Sequence, residues 1–512
     1  MCGIVGMFGG ERPDTVKRML DATSHRGEDS TRYEFWDERC GLGINRLSIM
    51  DLERGEQPIH NEARDVHVVC NGEIYNHAAI VSDLRDRHEF RTRSDVEVIA
   101  HLYEDHGAEC VNFLDGMFAF LVYDQKRQTF LAARDPLGIK PFYYARDAER
   151  WYFASEAKGI LAAGVDPTWI RMLPPGFRLT PERGPERYFY LASHKSMPKP
   201  SVVRELLEHA VEKRMMADVE VGTFLSGGVD SSLITAITSK LNPDVQAFTV
   251  GVEGAPDVEA AKVVAKHLGI RHHVRRFEVS ELVELLRETI WHVESYNPSM
   301  VTGSVVTLMA ARLAKEQGIK VVLCGEGSDE IFGGYIALRD LEFQDLQDAS
   351  WTLIENLHMT ELQRLDRMSM AVSLEARVPF LDRDLVEYAL NLPASVKIKD
   401  DGERKVEKWI LREAFDGVIP DEILWREKLP FDQGSGARAL IAYAENQVSD
   451  EDLARAKRQW PDAGIVSKEM LFYYNIWREH FGEMGGRRRF DLFGDYPGMM
   501  DRIEVRTASS GS

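Results

Sequence analysis

Cys2 sits in the opening run MCGIVGMFGG. A thiol at this position has two readings. One is chance. The other is a nucleophile that becomes the first residue once Met1 is removed, with its own α-amine as base, because an α-amine titrates at about 7.7–8.0 and can take a thiol proton. The run has neither the basic n-region nor the continuous apolar core of about 7–15 residues that a signal peptide needs. A thiol that cleaves an amide also requires donors for the developing oxyanion. CNGEIYN (70–76) offers the Asn71 side chain and the Gly72 N–H at one turn. Arg46, in NRLSIMD, suits a bidentate grip on an amino-acid carboxylate, and Asp95, in RSDVEV, suits the matching α-ammonium. Taken singly these are surface charges and a hairpin dipeptide. In combination and in this order they do not look accidental.

A second group lies at LSGGVDSS (225–232). Gly227 and Gly228 let backbone approach an anion, and Ser226, Ser231 and Ser232 add hydroxyl donors at the start of a helix. Asp230 is intelligible beside phosphate only if a divalent cation such as Mg²⁺ lies between them. The bland alternative is a glycine-rich turn with a capping serine. No GxxxxGK[ST] loop occurs. CGEGSDEIFGGY (324–335) repeats the strand-to-acidic-turn pattern and brings Glu326 and Asp329, the candidate second Mg²⁺ ligand, to the same sheet edge.

These residues need two kinds of scaffold. Up to about residue 190 the sequence reads as short β-rich runs and hairpins, such as MFAFLVYDQKRQTFLAARD. ASHKSMPKPS then reads as a linker over 191–201. Beyond it strand and helix alternate through VEVGTFL, SSLITAITSKL, VQAFTVGV and PDVEAAKVVAKHLG, the pattern of a doubly wound parallel sheet. Additional helices continue to about residue 490, and 491–512 reads as a small, polar tail. His267, His272 and His273 lack zinc spacing and read as surface residues. The net charge of −20 argues against a broad nucleic-acid face, and the arginine run at 487–489 reads as local salt bridges. No run reaches the roughly 18 apolar residues of a membrane span. Five widely spaced cysteines suit free thiols and a cytoplasmic setting.

The residues Cys2-Gly3-Ile4, His25-Arg26-Gly27, Arg46-Leu47-Ser48, Asn71-Gly72-Glu73 and Ser94-Asp95 resemble the class II glutaminase domain, an N-terminal-nucleophile fold of stacked antiparallel β-sheets with helices. SGGVDSS, GEGSDEIFGGY and LEARVPFLD (374–382) resemble the PP-loop ATP pyrophosphatase domain of glutamine-hydrolysing asparagine synthetases. The resemblance implies domains at 2–190 and 202–490. It implies that Cys2 attacks glutamine, with Asn71 and Gly72 as the oxyanion hole and Arg46, Glu73 and Asp95 around the amino acid. It further implies that Leu225, Val250, Cys324 and Gly325 line ATP, and that aspartate is activated as β-aspartyl-AMP with release of pyrophosphate. Ammonia carried through a tunnel then gives asparagine, with Glu326 and Lys428 at the synthetase centre. The family also suggests a homodimer.

The chain departs from the family pattern at four places. Glu28 replaces a common proline, Cys324 a common serine, and KLPFDQG the commoner K-x-x-F-S-D-G. In MVTGSVV (300–306), Thr302 stands where the family often has an arginine for the acceptor. These changes bear on the acceptor rather than the reaction type, so amidation of another carboxylate is the main alternative. β-Lactam synthetases typically carry Tyr in place of Glu326, and the intact Cys2 and Glu326 weigh against them. A nucleotide-responsive scaffold on a retired enzyme fold would have lost Cys2, Asp230 or Asp329, and all three are present.

Overall fold

A computed structural model of the chain describes residues 2–10, 13–428 and 436–482. Met1, most of KLPFDQG, the arginine run at 487–489 and the C-terminal tail lie outside the described residues. The chain forms two compact units. The first holds the residues up to Tyr190 with Met216–Glu220 and Ser369–Glu375, and the second holds the remainder.

The first unit stacks two six-stranded sheets. One contains β1 (Cys2–Phe8), β2 (Ser30–Trp36), β3 (Cys40–Arg46), β8 (Tyr143–Asp147), β9 (Arg150–Ala154) and β10 (Arg171–Met172), in the order β10-β8-β9-β1-β3-β2. The other contains β4 (Ile59–His60), β5 (Val66–Ile74), β6 (Gly116–Asp124), β7 (Thr129–Arg134), β11 (Phe177–Thr180) and β12 (Gly184–Arg187), in the order β12-β11-β7-β6-β5-β4. Neighbouring strands pair antiparallel, and β6–β7 and β8–β9 are the hairpins their sequences predict.

The two-residue period of β6 explains the layering. Ala119, Leu121 and Tyr123 join Ile4, Leu42, Ile44 and Phe153 in a core between the sheets. Phe118, Phe120 and Val122 point the other way, into a core with Val98, Ile99 and Leu102 of the helix Glu97–His106. Each Val, Leu, Ile or Phe among them adds about 1.5–3 kcal/mol on full burial. The helices Pro13–Asp21 and Ala157–Ala162 pack on the first sheet and on each other. Apolar residues on both faces therefore dictate helices outside both sheets, the layering that the resemblance leads one to expect.

The second unit is built on β13 (Val221–Phe224), β14 (Gln246–Gly251), β15 (Arg271–Arg276), β16 (Val321–Leu323) and β17 (Glu375–Arg377), in the order β15-β14-β13-β16-β17. The pairs β13–β14, β14–β15 and β13–β16 are parallel. Strand order reverses at β13, and the carboxyl ends of β13 and β16 flank the crevice where open α/β sheets bind ligands. The residues expected to form a linker are anchored within this unit. His194 N donates to Asn391 Oδ1 (2.7 Å) and Lys199 N to the Tyr388 hydroxyl (3.1 Å), and a helix begins at Pro200.

His272 and His273 correct the surface reading. Both are half-buried on β15. His272 Nε2 lies 2.8 Å from Thr249 Oγ1, and His273 stacks on Phe248. Burial lowers the pKa of His272 to about 4. Pairing of β15 with β14 carries them inward, which their irregular spacing did not suggest. All five cysteines are buried and free of disulfides.

Candidate active sites

β1 and β3 pair with Cys2 opposite Arg46, so the thiol and the guanidinium start from adjacent strands. Cys2 N donates to Asn71 Oδ1 at 3.0 Å. Asn71 Nδ2 is buried and has no hydrogen-bond partner among the described residues, so a donor stands beside the thiol-bearing residue. Gly72 has φ +153°, and a Cβ there would lie 2.0 Å from Met117 O, so only glycine fits. Burial pushes the Cys2 thiol up, opposed by the Leu47 backbone N–H and by Arg46.

Arg46 is 3% exposed, and its Nη2 donates to Met50 O (3.1 Å) and Asp51 O (2.9 Å). Those bonds fold the loop after β3 around the guanidinium. Asp95 is buried and accepts from Ile74 N at 2.6 Å, which ties it to the end of β5. Glu73 is buried on the same strand.

Two supporting roles escaped the sequence reading, although Arg26 itself stands in a motif quoted there. Arg26 Nε donates to Cys2 O (3.2 Å), and its Nη1 donates to the fully buried Glu156 (2.7 Å). Glu156 also accepts from Lys158 and meets His25 Nε2 at 3.1 Å. This charge cluster holds the strand that presents the thiol. Glu156 is 130 residues from Arg26, and nothing local marks it.

In the second unit a cavity of about 710 Å³ opens at the carboxyl ends of β13 and β16. Leu225, Ser226, Gly228, Asp230, Ser231, Val250, Cys324, Gly325, Glu326, Asp329 and Lys428 all line it, as does Thr302. Gly227 and Ser232 do not. Gly227 has φ +75°, and a Cβ there would lie 2.5 Å from Ala261 N, so this glycine lets the loop pack on the helix Pro256–Leu268. Ser232 is fully buried in the helix Val229–Leu241. Ser226 N donates to Ser231 Oγ at 3.1 Å, which curls the loop over the helix start.

The charges converge on Lys408, which the sequence reading missed. Its Nζ lies 2.5 Å from Asp230 Oδ2 and 2.6 Å from Asp329 Oδ1, and Lys428 pairs with Asp329 Oδ2. Despite burial, which pushes it up, Asp329 is held well below the usual carboxylate range by the two lysines. Lys408 has φ +57°, a conformation costly for a side-chain-bearing residue. The two aspartates already share one cation, and hard oxygen donors of this kind fit Mg²⁺.

Arg364, from the helix Glu361–Met370, donates through Nη2 to Glu326 Oε1 at 2.8 Å. Burial raises the pKa of Glu326, and Arg364 opposes the rise. Thr302 turns its hydroxyl to Glu469 (3.3 Å) and Tyr473 (3.4 Å), and Arg364 reaches the same cavity from a different helix. Arg426 closes another wall, donating to Asp257 (2.9 Å) and to Gly227 O (3.2 Å).

Residues 1–172 match the glutamine amidotransferase domain family, and residues 202–348 and 340–488 match the asparagine synthase family. The chain is 36% identical over 518 residues to asparagine synthetase (glutamine-hydrolyzing) 3 of Arabidopsis thaliana, covering 95% of this chain and 89% of that protein. It is 37% identical over 520 residues to asparagine synthetase (glutamine-hydrolyzing) of Asparagus officinalis, covering 95% and 87%. For the enzyme of the same description from Sandersonia aurantiaca, identity is 36% over 515 residues, covering 94% and 97%. With a thiol site on stacked sheets, a PP-loop cavity on a parallel sheet and likeness along almost its full length, the chain belongs to the family of glutamine-hydrolysing asparagine synthetases.

Proposed function

We propose that Cys2 releases ammonia from glutamine in the first unit, and that the second unit spends it on β-aspartyl-AMP. The chain is an ATP- and glutamine-dependent ligase forming asparagine, and the residue roles below are our reading of its two sites.

In the first site, Cys2 Sγ attacks the amide carbon of glutamine. Its proton passes to the α-amine that removal of Met1 exposes. The oxyanion is met by Asn71 Nδ2 and the Gly72 N–H, with Arg46, Glu73 and Asp95 holding the amino-acid end. Ammonia leaves, and water then cleaves the thioester to give glutamate. The unpartnered Asn71 Nδ2 beside Cys2 is the observation that carries this reading. Donors fixed in advance act most strongly where water is excluded.

In the second site, the side-chain carboxylate of aspartate attacks the α-phosphorus of ATP, and pyrophosphate departs. Ammonia then attacks the activated carbonyl and displaces AMP. Ser226, Gly228 and Ser231 cradle phosphate, and Leu225, Val250, Cys324 and Gly325 wall the nucleoside. Asp230 and Asp329 would hold Mg²⁺, which neutralises phosphate charge. Lys408 and Lys428 are poised for the departing pyrophosphate, and Arg364 with Glu326 faces the aspartate. Support for the acceptor comes from Arg364, which restores a guanidinium where Thr302 lacks one.

The deciding experiment measures AMP and pyrophosphate release with Mg-ATP and ammonium over a panel of carboxylic acids. Dependence on aspartate with asparagine formed alongside AMP is the expected result. A response to another acid, with none to aspartate, would move the enzyme to a different amide. The reading extends to domains at 2–190 and 202–490, a cytoplasmic enzyme and a homodimer, whose mass light scattering would measure.

A further inference from the structure

We propose that Glu62, His88, His101 and Glu104, in the first unit, form a structural site for a transition-series divalent cation, Zn²⁺ by preference. None of the four serves the reaction described above. Glu62 follows β4, His88 lies beyond the helix His77–Leu84, and His101 and Glu104 are three apart on the helix Glu97–His106, hence on one face. One ligand atom from each lies within 4.8 Å of the other three.

His101 is fully buried, and neither ring nitrogen has a hydrogen-bond partner among the described residues. Its Nδ1 points into the cluster, 3.5 Å from Glu62 Oε2 and 3.5 Å from Glu104 Oε2. His88 Nδ1 enters from the other side, 3.3 Å from Glu62 Oε1 and 3.6 Å from Glu104 Oε2. Glu104 Oε2 is buried and has no hydrogen-bond partner among the described residues.

His88 Nδ1 and His101 Nδ1 each lie 3.3–3.6 Å from a carboxylate oxygen of Glu62 and of Glu104, wider than the about 2.7–2.9 Å of a closed charge-assisted hydrogen bond. Ligands about 2.0–2.1 Å from a tetrahedral ion stand about 3.3 Å apart, near the spacing seen here. A metal-bound histidine usually gives its second nitrogen to a carboxylate, an arrangement that His88 has and that His101 approaches without a closed bond. His88 Nε2 lies 3.2 Å from Asp105 Oδ1, and His101 Nε2 lies 3.6 Å from Glu97 Oε1. Glu97 is itself fixed by Arg91 N and Thr92 N, both at 2.7 Å. Asn61 Nδ2 holds Glu104 Oε1 (2.8 Å), and Glu89 N holds Glu62 Oε1 (2.7 Å).

Two imidazoles and two carboxylates suit zinc better than Mg²⁺, which prefers six oxygens. Two carboxylates and two neutral imidazoles sum to −2, which one divalent cation cancels. The ion would clamp the segment between His88 and His101, and Asp95 lies in that segment.

The test uses the full chain, stripped with a chelator and returned to buffer with excess Mg²⁺. Zn²⁺ is titrated against a chromophoric chelator, and Co²⁺ is added separately with the visible spectrum recorded. Wild type is expected to take one equivalent of Zn²⁺, to show the intense visible bands of tetrahedral Co²⁺, and to gain Tm on Zn²⁺ addition. His101→Gln and Glu62→Gln should each bind at least about tenfold more weakly. Glu62 is only half-buried, so its variant remains informative if His101→Gln fails to fold by circular dichroism. No bound Zn²⁺, or equal affinity in wild type and Glu62→Gln, leaves a hydrogen-bonded charge cluster and overturns the proposal.

Discussion

Arg364 and Glu326 pair at 2.8 Å in the wall of the second-unit cavity, with the guanidinium of Arg364 filling the space above Gly303. A Cβ at residue 303 would lie 2.8 Å from Arg364 Nη1, so the glycine beside Thr302 makes the room that this arginine uses. Arg364→Leu is expected to raise the KM for aspartate by about tenfold or more, the scale of a lost charged hydrogen bond at about 1.5–3 kcal/mol. Glutamine hydrolysis should be unchanged. Pyrophosphate release against aspartate concentration checks it, and an unaltered KM would remove Arg364 from the acceptor site.

Asn71→Ala removes the Nδ2 donor and the acceptor for Cys2 N together. Loss of one oxyanion donor lowers kcat by about 10²–10³, so glutamate release should fall by that factor. Synthesis driven by ammonium salts should persist. Parallel assays with the two nitrogen sources separate these outcomes, and loss of both activities would mean a folding defect or a shared site.

Cys2→Ala should abolish glutamine-dependent synthesis and spare synthesis from ammonium. Intact-mass measurement of the wild type should also show Met1 absent. A retained methionine in a protein active with glutamine would exclude the α-amine as base.

Lys408→Met leaves Asp230 and Asp329 facing each other without their shared ammonium. Removing one partner of a buried ion pair costs about 3–5 kcal/mol, so Tm should fall in metal-free buffer. Mg²⁺ without nucleotide should then raise the Tm of the variant more than that of wild type, while ATP turnover drops. Equal Mg²⁺ responses would show that the two aspartates do not form a joint cation site.

Lys397 is fully buried, its Nζ has no hydrogen-bond partner among the described residues, and burial lowers its pKa to about 7. The unfolded value is near 10.5. Between these values the unfolded chain binds more protons, so this residue makes stability rise with pH from about 7 to 10.5. Lys397→Met should flatten that rise and raise Tm near neutrality. Denaturation curves across the window would show it, and an unchanged slope would locate the proton elsewhere.

The hairpins, the parallel sheet and the loop at 225–232 were legible because each is written in contiguous residues. Alternation in β6 and the strand–glycine–helix order at β13 need no distant partner. Lys408 was not legible, since its role exists only when the fold carries it to Asp230, 178 residues earlier. Glu156 and Arg364 are similar, being ordinary charged residues until burial pairs them. His272 and His273 were misread because exposure in a strand depends on what packs over the sheet. Ser232 and Gly227 show the converse. Their place in the loop motif marked them for phosphate, but helix geometry turns Ser232 inward and gives Gly227 a packing task.

The Asn71–Gly72 pair also bears on how this protein ages. Asparagine is among the thermolabile residues, and a following glycine gives its amide least protection against loss of ammonia. Here the dipeptide is buried in β5, with Asn71 opposite Ala119 and Gly72 opposite Phe118 on β6. That pairing holds the Asn71–Gly72 backbone in the ladder, away from the ring closure through which deamidation proceeds. Local opening of β5 would remove the protection. A carboxylate would then stand where an oxyanion has to be received, and on prolonged storage the glutaminase should fail before the synthetase.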